Sequence, residues 1–589
     1  MNHLQLLINQ IADLPQTAPT IHEKVWKLLK RYNRTLSPTK SAKPGDAPTA
    51  DAAKKLSKTT LLATYKQMVS NGEIRLSPTK ERNFLTNIKT KVTRTISGVT
   101  PVTVLTKPFP CPGKCIFCPS DYRMPKSYLS SEPGAQRAAA NKFDPYMQAY
   151  NRLVAYKNMG HGTDKVELII LGGTWSAYPD DYQRWFVKRC FDAMNDFEPE
   201  KSSEQITLTN TLPYSEEGLS RHKSLKLYNK VVAKAMLRDS SEVCSWRELE
   251  AAHTKNETAY SRCVGLVIET RPDEITEEEV VNIRRLGATK VQLGVQSLNN
   301  KVLRLNKRGH DVARTARAFT LLRSAGFKLH VHWMPNLYGS TPEADKKDFI
   351  KLFKDSRFRP DELKIYPCSL IESADLYDYY KKGLWKPYTL EELTAVLSFC
   401  LAHVPNYCRV TRVIRDISSD DIAVGNKLTN LRQIVEAYVK KSGGTLKDIH
   451  SREVRGRVVS AGELALRKTR YITKGSAEYF LEFTGASDCI AGFLRLSLPK
   501  PATPTFIQEI SKAAIIREIH VYGQAVNIGD KQQGKVQHLG LGKKLIAEAK
   551  LLAGSQGFRK LVVISSVGTR EYYKKNGFVK DGLYQSMSL

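Results

Sequence analysis

From about residue 96 the chain alternates short apolar runs with longer amphipathic ones. The runs at 102–106, 165–171 (KVELIIL), 263–269 (CVGLVIE), 290–295 (KVQLGV), 328–333 and 363–366 are apolar and rich in β-branched residues. They read as strands. Between the last of them, 276–286, 311–325 and 342–355 carry helical periodicity. Apolar strands separated by helices predict a parallel sheet with right-handed crossovers. Six such units make an α/β fold with an open, partial (β/α)6 barrel over about 96–404. Such a barrel gathers its chemistry at the carboxyl ends of its strands. Before it, 21–32 (IHEKVWKLLKRY) predicts an amphipathic helix with Val25, Leu28, Leu29 and Tyr32 on one side. A second helix is expected over about 52–70. Residues 33–52, rich in Ser, Pro, Thr and Lys, read as a flexible linker. The tetrapeptide Ser-Pro-Thr-Lys recurs at 37–40 and 77–80, too few copies to define a repeat. Late in the chain, 515–522 and 560–565 read as strands around a helix at 544–553.

Composition sharpens this. At 589 residues, 41% of them hydrophobic, the chain predicts two or three globular domains. Its 91 Lys and Arg against 59 Asp and Glu give +32. That excess implies a polyanionic partner, with nucleic acid ahead of an anionic membrane surface. Residues 1–100 alone hold 17 Lys and Arg against 6 Asp and Glu, so a basic helical extension over 1–95 is expected. Lys54, Lys55, Lys58, Arg82, Lys89, Lys91 and Arg94 would be its phosphate contacts, or simply a solvated basic face. No apolar run is long enough to span a bilayer. The N-terminal residues do not have the pattern of a signal peptide. A cytoplasmic protein without membrane contact is expected.

Candidate chemistry concentrates in Cys111-Pro112-Gly113-Lys114-Cys115-Ile116-Phe117-Cys118, a C-x3-C-x2-C spacing just after the first predicted strand. One short loop can then wrap one cubane. Three thiolates hold three irons of a 4Fe–4S cluster and leave the fourth without a protein ligand. The amino and carboxylate groups of S-adenosylmethionine can chelate that iron. One electron then splits the sulfonium to a 5′-deoxyadenosyl radical, while the protein supplies position and a dry site. A structural zinc site wants four ligands, and His161 lies too far along for a compact knuckle. A disulfide would waste one thiol. The predicted reading is a radical-SAM barrel. Gly172-Gly173-Thr174 closes the second strand, where glycines admit the methionine end of the cofactor. Glu269, Arg271, Gln292, Gln296, Arg308, His310 and Tyr366 fall near strand ends. Each is a candidate for ribose, carboxylate or substrate contact, or for an ordinary structural hydrogen bond.

A second signature opens the 544–553 helix. Gln537-His538-Leu539-Gly540-Leu541-Gly542-Lys543 has the Q-x-x-G-x-G form of an acetyltransferase pyrophosphate loop. There an anion is held by backbone N–H groups at a helix N-terminus. A dinucleotide fold would place G-x-G-x-x-G after the first strand of a β-α-β unit instead. Residues 568–578 then close a GNAT-type acetyltransferase domain over about 456–589. Tyr572 and Tyr573 within them also read as core aromatics.

Several runs carry a family resemblance: Gly172-Gly173-Thr174, Ile268-Glu269-Thr270-Arg271-Pro272-Asp273, Gln292-Leu293-Gly294-Val295-Gln296-Ser297, Arg308-Gly309-His310 and Leu363-Lys364-Ile365-Tyr366-Pro367. From about residue 80 onward the chain resembles the family of the Elongator catalytic subunit, which modifies the wobble uridine of tRNA, in its stand-alone prokaryotic form. The resemblance implies Cys111, Cys115 and Cys118 as cluster ligands. It implies S-adenosylmethionine contacts at Gly172, Gly173, Thr174, Glu269, Gln292 and Lys364. It implies acetyl-CoA contacts at Glu518, Gln537, Gly540, Gly542, Lys543, Tyr572 and Tyr573, with the two tyrosines also catalytic. The implied reaction takes hydrogen from the methyl of acetyl-CoA, adds the carbon radical to C5 of the uridine and hydrolyses the thioester to 5-carboxymethyluridine. The base must be splayed from its stack. The implied partners are the tRNA anticodon stem-loop and an electron donor; a homodimer, the tRNA species and the reductant stay open. A basic linker over 405–455, with Arg409, Arg412, Arg415, Lys427, Arg432, Arg452, Arg455 and Arg457, is expected to help hold tRNA phosphates. Many relatives have a longer gap after the first cysteine, and the three-residue gap here is that of ordinary radical-SAM proteins. The family is associated with a zinc site between domains. Cys368, Cys400, His403 and Cys408 fall in that region, but their spacing matches no standard zinc pattern, and buried cysteines are the favoured reading. Three rivals remain: a protein lysine acetyltransferase with a structural iron–sulfur cluster, another radical-SAM enzyme such as a methylthiolase, and a tRNA-binding scaffold. No second cysteine cluster supports the methylthiolase.

Overall fold

A computed structural model describes residues 3–14, 21–35, 56–88, 95, 97–202, 206, 225–235, 241–454, 461–501, 503, 505–522 and 540–589. The first Ser-Pro-Thr-Lys, Lys54, Lys55, Lys89, Lys91, Arg94, Arg455, Arg457 and Gln537 lie outside the described residues.

Two compact units form. The smaller takes residues up to 95 together with 151–163 and 198–205. Its helices are α1 (His3–Ala12), α2 (Ile21–Thr35), α3 (Lys58–Ser70) and α4 (Pro78–Ile88). They bury one apolar face each: Leu7, Ile8 and Ile11, then Val25 and Leu29, then Leu61, Tyr65 and Met68, then Phe84 and Ile88. The Asn87 amide donates to Ile11 O at 2.9 Å and ties α4 to α1. On α2 the basic face stays in water, and Trp26 is 65% exposed beside it.

The larger unit begins with the predicted parallel sheet. Its strands are β1 (Thr100–Leu105), β2 (Lys165–Leu171), β3 (Arg262–Thr270), β4 (Lys290–Gln296), β5 (Lys328–Trp333) and β6 (Glu362–Ile365). After the two-residue β7 (Leu370–Ile371) comes a further member, β8 (Arg409–Arg412). The order is β1-β2-β3-β4-β5-β6-β8, every pair parallel. The sheet therefore has seven strands, one more than predicted. The extra strand lies inside the stretch expected to be a linker, which also holds β9 (Ile422–Val424) and the helix Leu431–Lys441. Five of its described arginines are paired with carboxylates. Arg409 and Arg432 pair with Glu453 and Glu436, Arg412 with Asp416, Arg415 with Glu132 and Arg452 with Glu482. Asp416, Glu436 and Glu453 belong to the same stretch; Glu132 and Glu482 come from elsewhere, which basic density along the chain does not reveal.

A second seven-stranded sheet follows: β10 (Ala465–Ile472), β11 (Ser476–Thr484), β12 (Ile490–Pro499), β13 (Ala514–Val521), β14 (Lys560–Val563), β15 (Val579–Asp581) and β16 (Tyr584–Ser588). Its order is β10-β11-β12-β13-β14-β16-β15. All pairs are antiparallel except β13 with β14. The helix Leu541–Ser555 packs Leu545, Ile546 and Ala549 on Leu494, Leu496 and Ile516. This mixed sheet with a helix packed on it stands where the sequence predicts the acetyltransferase domain. The sheet meets the barrel at the amino-terminal ends of the barrel strands. Ser566 donates to Cys263 O (3.0 Å), Arg517 to Phe327 O (3.1 Å) and Arg495 to Tyr407 O (2.7 Å).

Candidate active site

The cysteine loop follows β1 at the opposite, carboxyl end of the barrel. Its first residue is held by Asn229, whose Oδ1 accepts from Cys111 N–H and whose Nδ2 donates to Cys111 O, both at 3.0 Å. Its middle is held by Ile116, fully buried among Val302, Met334, Leu337, Leu376 and Trp385. Ile116 N–H donates to Asn306 O (3.2 Å), and Ile116 O accepts from Leu376 N–H (2.8 Å). An apolar residue in the second gap thus nails the loop to the barrel and leaves the thiols free to point away. Cys111, Cys115 and Cys118 are half-buried, whereas the other seven cysteines are buried.

Cations surround the thiols. Arg308 Nη1 lies 3.2 Å and Arg271 Nη1 3.7 Å from Cys115 Sγ. Asp273 aligns Arg271 through its Nε (3.0 Å) and Nη2 (2.6 Å), and His310 Nδ1 stands 3.4 Å from the same carboxylate. Arg308 also donates to Gly294 O. A side chain at Gly294 would strike that guanidinium, and one at Gly113 would strike Arg271. Burial pushes the Cys115 thiol up, but the charges of Arg308 and Arg271 outweigh it and hold the thiol below its ordinary value. Burial raises Cys118 to about 11, with Lys126 pulling the other way. The Thr174 hydroxyl is 3.7 Å from Cys111 Sγ. Tyr178 braces the Gly172-Gly173 turn: its hydroxyl accepts from Gly173 N–H (2.7 Å) and pairs with Thr106 Oγ1 (3.0 Å).

Below the loop the barrel lumen is polar. Gln292 Oε1 faces His332 Nε2 at 2.9 Å and accepts from Lys364 Nζ. His332 Nδ1 lies 3.7 Å from Glu269. Burial lowers Lys364 to about 8 against the pull of Glu269. Burial also raises Glu269 and holds His332 well below its ordinary value. At the end of β4, Gln296 takes a left-handed φ of 69°, and its buried Oε1 has no hydrogen-bond partner.

Among the described residues no three His, Cys, Asp or Glu side chains are drawn into metal-ligand geometry. The fit of a cluster and S-adenosylmethionine is therefore judged on the donor set. Three accessible thiols on one loop, ringed by Arg271, Arg308 and Lys126, suit an anionic iron–sulfur group. The orphaned Gln296 oxygen suits a hydroxyl or amine donor of a bound cofactor. The residues fit. Thr174 is brought to Cys111, Gly172 and Gly173 to Tyr178, and Glu269, Gln292 and Lys364 into one polar cluster with His332. Asn229, Thr106 and Tyr178 were not foreseen. Asn229 comes from a charged insert far along the chain, and no local signal marks it.

The zinc candidates are not brought together. Cys368, Cys400 and Cys408 are buried separately, and His403 turns its Nδ1 to Phe399 O at 2.7 Å.

At the second signature, Gly540 adopts φ 63° and caps the helix Leu541–Ser555. Only residues without a Cβ take that conformation freely. A side chain at Gly542 would strike the Tyr572 hydroxyl, so the turn and this tyrosine touch. Tyr572 is 40% exposed, and burial of its ring raises its hydroxyl pKa. Tyr573 sits in the core against Phe578, and Lys543 is exposed. The Glu518 carboxylate is taken by Lys328 and by Arg495 (2.8 Å).

Comparison with known proteins adds the following. The Radical SAM superfamily profile matches residues 246–350, and the Radical_SAM C-terminal domain profile matches 360–441. The chain is 40% identical over 494 residues to a tRNA uridine(34) acetyltransferase of Dehalococcoides mccartyi, covering 83% of this chain and 97% of that protein. It is 34% identical to the Elongator complex protein 3 of Drosophila melanogaster, covering 86% of each. The structure of archaeal Methanocaldococcus infernus Elp3 with an N-terminal deletion superposes with a TM-score of 0.67 at 35% identity, covering 84% of this chain and 100% of that one.

Proposed function

The chain belongs to the family of the tRNA uridine(34) acetyltransferases and Elongator complex protein 3, and from that premise we propose that it converts the wobble uridine of tRNA to 5-carboxymethyluridine with acetyl-CoA and S-adenosylmethionine. The observation that carries the reading is the pairing, on one chain, of a three-thiol loop at one end of the barrel with a glycine-capped acetyltransferase helix docked at the other. Cys111, Cys115 and Cys118 would hold a 4Fe–4S cluster, which with S-adenosylmethionine supplies a radical able to take hydrogen from a methyl group.

The remaining work falls to the chain. Arg271 and Arg308 place positive charge beside Cys115 and favour the thiolate form a ligand needs. Ile116 and Asn229 fix the loop before anything binds. The Gly172-Gly173 turn, braced by Tyr178, lets a small zwitterion approach the backbone. Glu269, Gln292, His332 and Lys364 line the floor with exchangeable donors and acceptors. At the other signature, N–H groups at the start of Leu541–Ser555 receive the pyrophosphate of acetyl-CoA. The Tyr572 hydroxyl beside Gly542 stands where the acyl end can be oriented. An electron donor and the anticodon stem-loop complete the reading.

The test is anaerobic. Reconstituted protein is given dithionite, S-adenosylmethionine, acetyl-CoA and tRNA, and the digested tRNA is searched for carboxymethyluridine by mass spectrometry. A product that requires every component is expected. Acetyl-CoA turnover indifferent to tRNA would return a protein acetyltransferase to the front.

A further inference from the structure

β13 changes its company halfway along. Ala514, Ile515 and Ile516 pair with Leu561, Val562 and Val563 of β14. Beyond them, among the described residues, the strand pairs only with β12. The change falls at a bulge: Arg495 of β12 faces Glu518, while Leu496 faces Ile516, which leaves Arg517 as the extra residue. A bulge bends its strand and parts it from a neighbour. Past this point, among the described residues, no strand pairs with Glu518 to Val521 on the side away from β12. At the far end of that stretch lie Gly542 and Tyr572, since a side chain at Gly542 would meet both the Tyr572 ring and Val521. A strand side without a described ladder partner suits an extended, amide-bearing ligand.

The extra residue is not held by its own sheet alone. Arg517 is fully buried, and its Nη1 and Nη2 donate to the two carboxylate oxygens of Asp361 at 2.7 and 2.8 Å. Asp361 is a barrel residue in the turn before β6, with no exposed surface. It also accepts from Leu329 N–H (2.9 Å) and sits 3.5 Å from Arg495 Nη1. Arg517 Nε donates to Glu478 of β11 (2.9 Å), and Nη1 also reaches Phe327 O (3.1 Å). The bulge thus hangs from a two-point, charge-assisted bond whose acceptor belongs to the other half of the molecule.

We propose that Asp361 is a positioning residue for acetyl-CoA: through Arg517 it fixes where β13 parts from β14, so that the radical-SAM half sets the shape of the acetyl-CoA cleft. This deepens the function proposed above and rests on it. The same grip suggests why the two activities share a chain: the cleft takes its working form only against the barrel.

The experiment uses the full chain, reconstituted, as Asp361→Asn and as Arg517→Lys. Two readings are taken: the Kd for desulfo-coenzyme A by calorimetry, and 5′-deoxyadenosine formed from S-adenosylmethionine under dithionite. Asp361→Asn keeps the shape and loses the charge; Arg517→Lys keeps the charge and loses the two-point grip. If one variant does not fold, the other carries the test. The expected result is a Kd raised at least tenfold, with deoxyadenosine formation within twofold of the parent. A Kd within twofold of the parent in a folded variant overturns the proposal. So does a parallel fall in both readings, which is what mere loosening of the structure would give. A parent protein that binds no desulfo-coenzyme A would sink the acetyl-CoA reading itself, a result distinct from either.

Discussion

Single side chains decide how the three thiols behave. Arg308 touches Cys115 and is itself buried, so its charge-assisted contact has no water to replace it. Arg308→Met should leave the protein folded but lower iron and sulfide content after reconstitution. Losing such a contact, worth about 1.5–3 kcal/mol, should slow deoxyadenosine formation by roughly tenfold to a hundredfold. Unchanged iron content would mean that Arg308 serves packing alone. Lys364 gives a pH test. In the unfolded chain its amine takes a proton near 10.5; in the fold burial delays this to about 8. Between those values the unfolded chain holds the extra proton, so stability rises with pH there, and below about 8 the folded chain carries the full cost of the buried charge. Lys364→Met should therefore melt higher than the parent at pH 7, and the advantage should shrink as pH is raised toward 10.5. A difference that does not change with pH would remove the charge explanation. At this scale the sequence was readable where chemistry is local. The cysteine spacing and the Gly540–Gly542 turn each lie within a few residues. Asn229 was not readable, because its partner is 118 residues away.

Elements were readable in proportion to how one-sided their burial is. The barrel strands and the helices Glu277–Arg285, Val312–Ser324 and Pro342–Lys354 fall within a residue or two of the predicted spans. β10, β11 and β12 were not foreseen. In β12 nine consecutive residues are buried, because one face meets the helix Leu541–Ser555 and the other meets the barrel, which erases the alternation that marks a half-buried strand. β8 was hidden for another reason: its arginines look like a surface until their carboxylate partners are known. The glycine turn supplies an element-scale prediction. Gly540→Val forces a branched side chain into a left-handed φ, a cost of about 1–2 kcal/mol. Such a loss corresponds to roughly tenfold weaker desulfo-coenzyme A binding, with helical circular dichroism retained. Equal affinity by calorimetry would detach the turn from the ligand.

Across the whole molecule the surplus of +32 remains the feature most visible from sequence, though Arg409, Arg412, Arg415, Arg432 and Arg452 are paired with carboxylates. If the remaining cations meet tRNA, the affinity for an anticodon stem-loop should fall by roughly tenfold or more between 50 and 200 mM salt. Titrations by fluorescence anisotropy should give a straight line in logarithmic coordinates, and a flat line would exclude phosphate contact as the main source of binding. The ionic seam between barrel and second sheet carries a different lesson, about inheritance. A fragment ending near 455 strands Asp361 without its arginines, and one beginning there strands Arg495 and Arg517 without Asp361. A buried charge stripped of its partner is strongly destabilising. Neither half is therefore a cassette that can be lifted out. A chimaera spliced from two relatives will work only when both banks of the seam descend from the same parent.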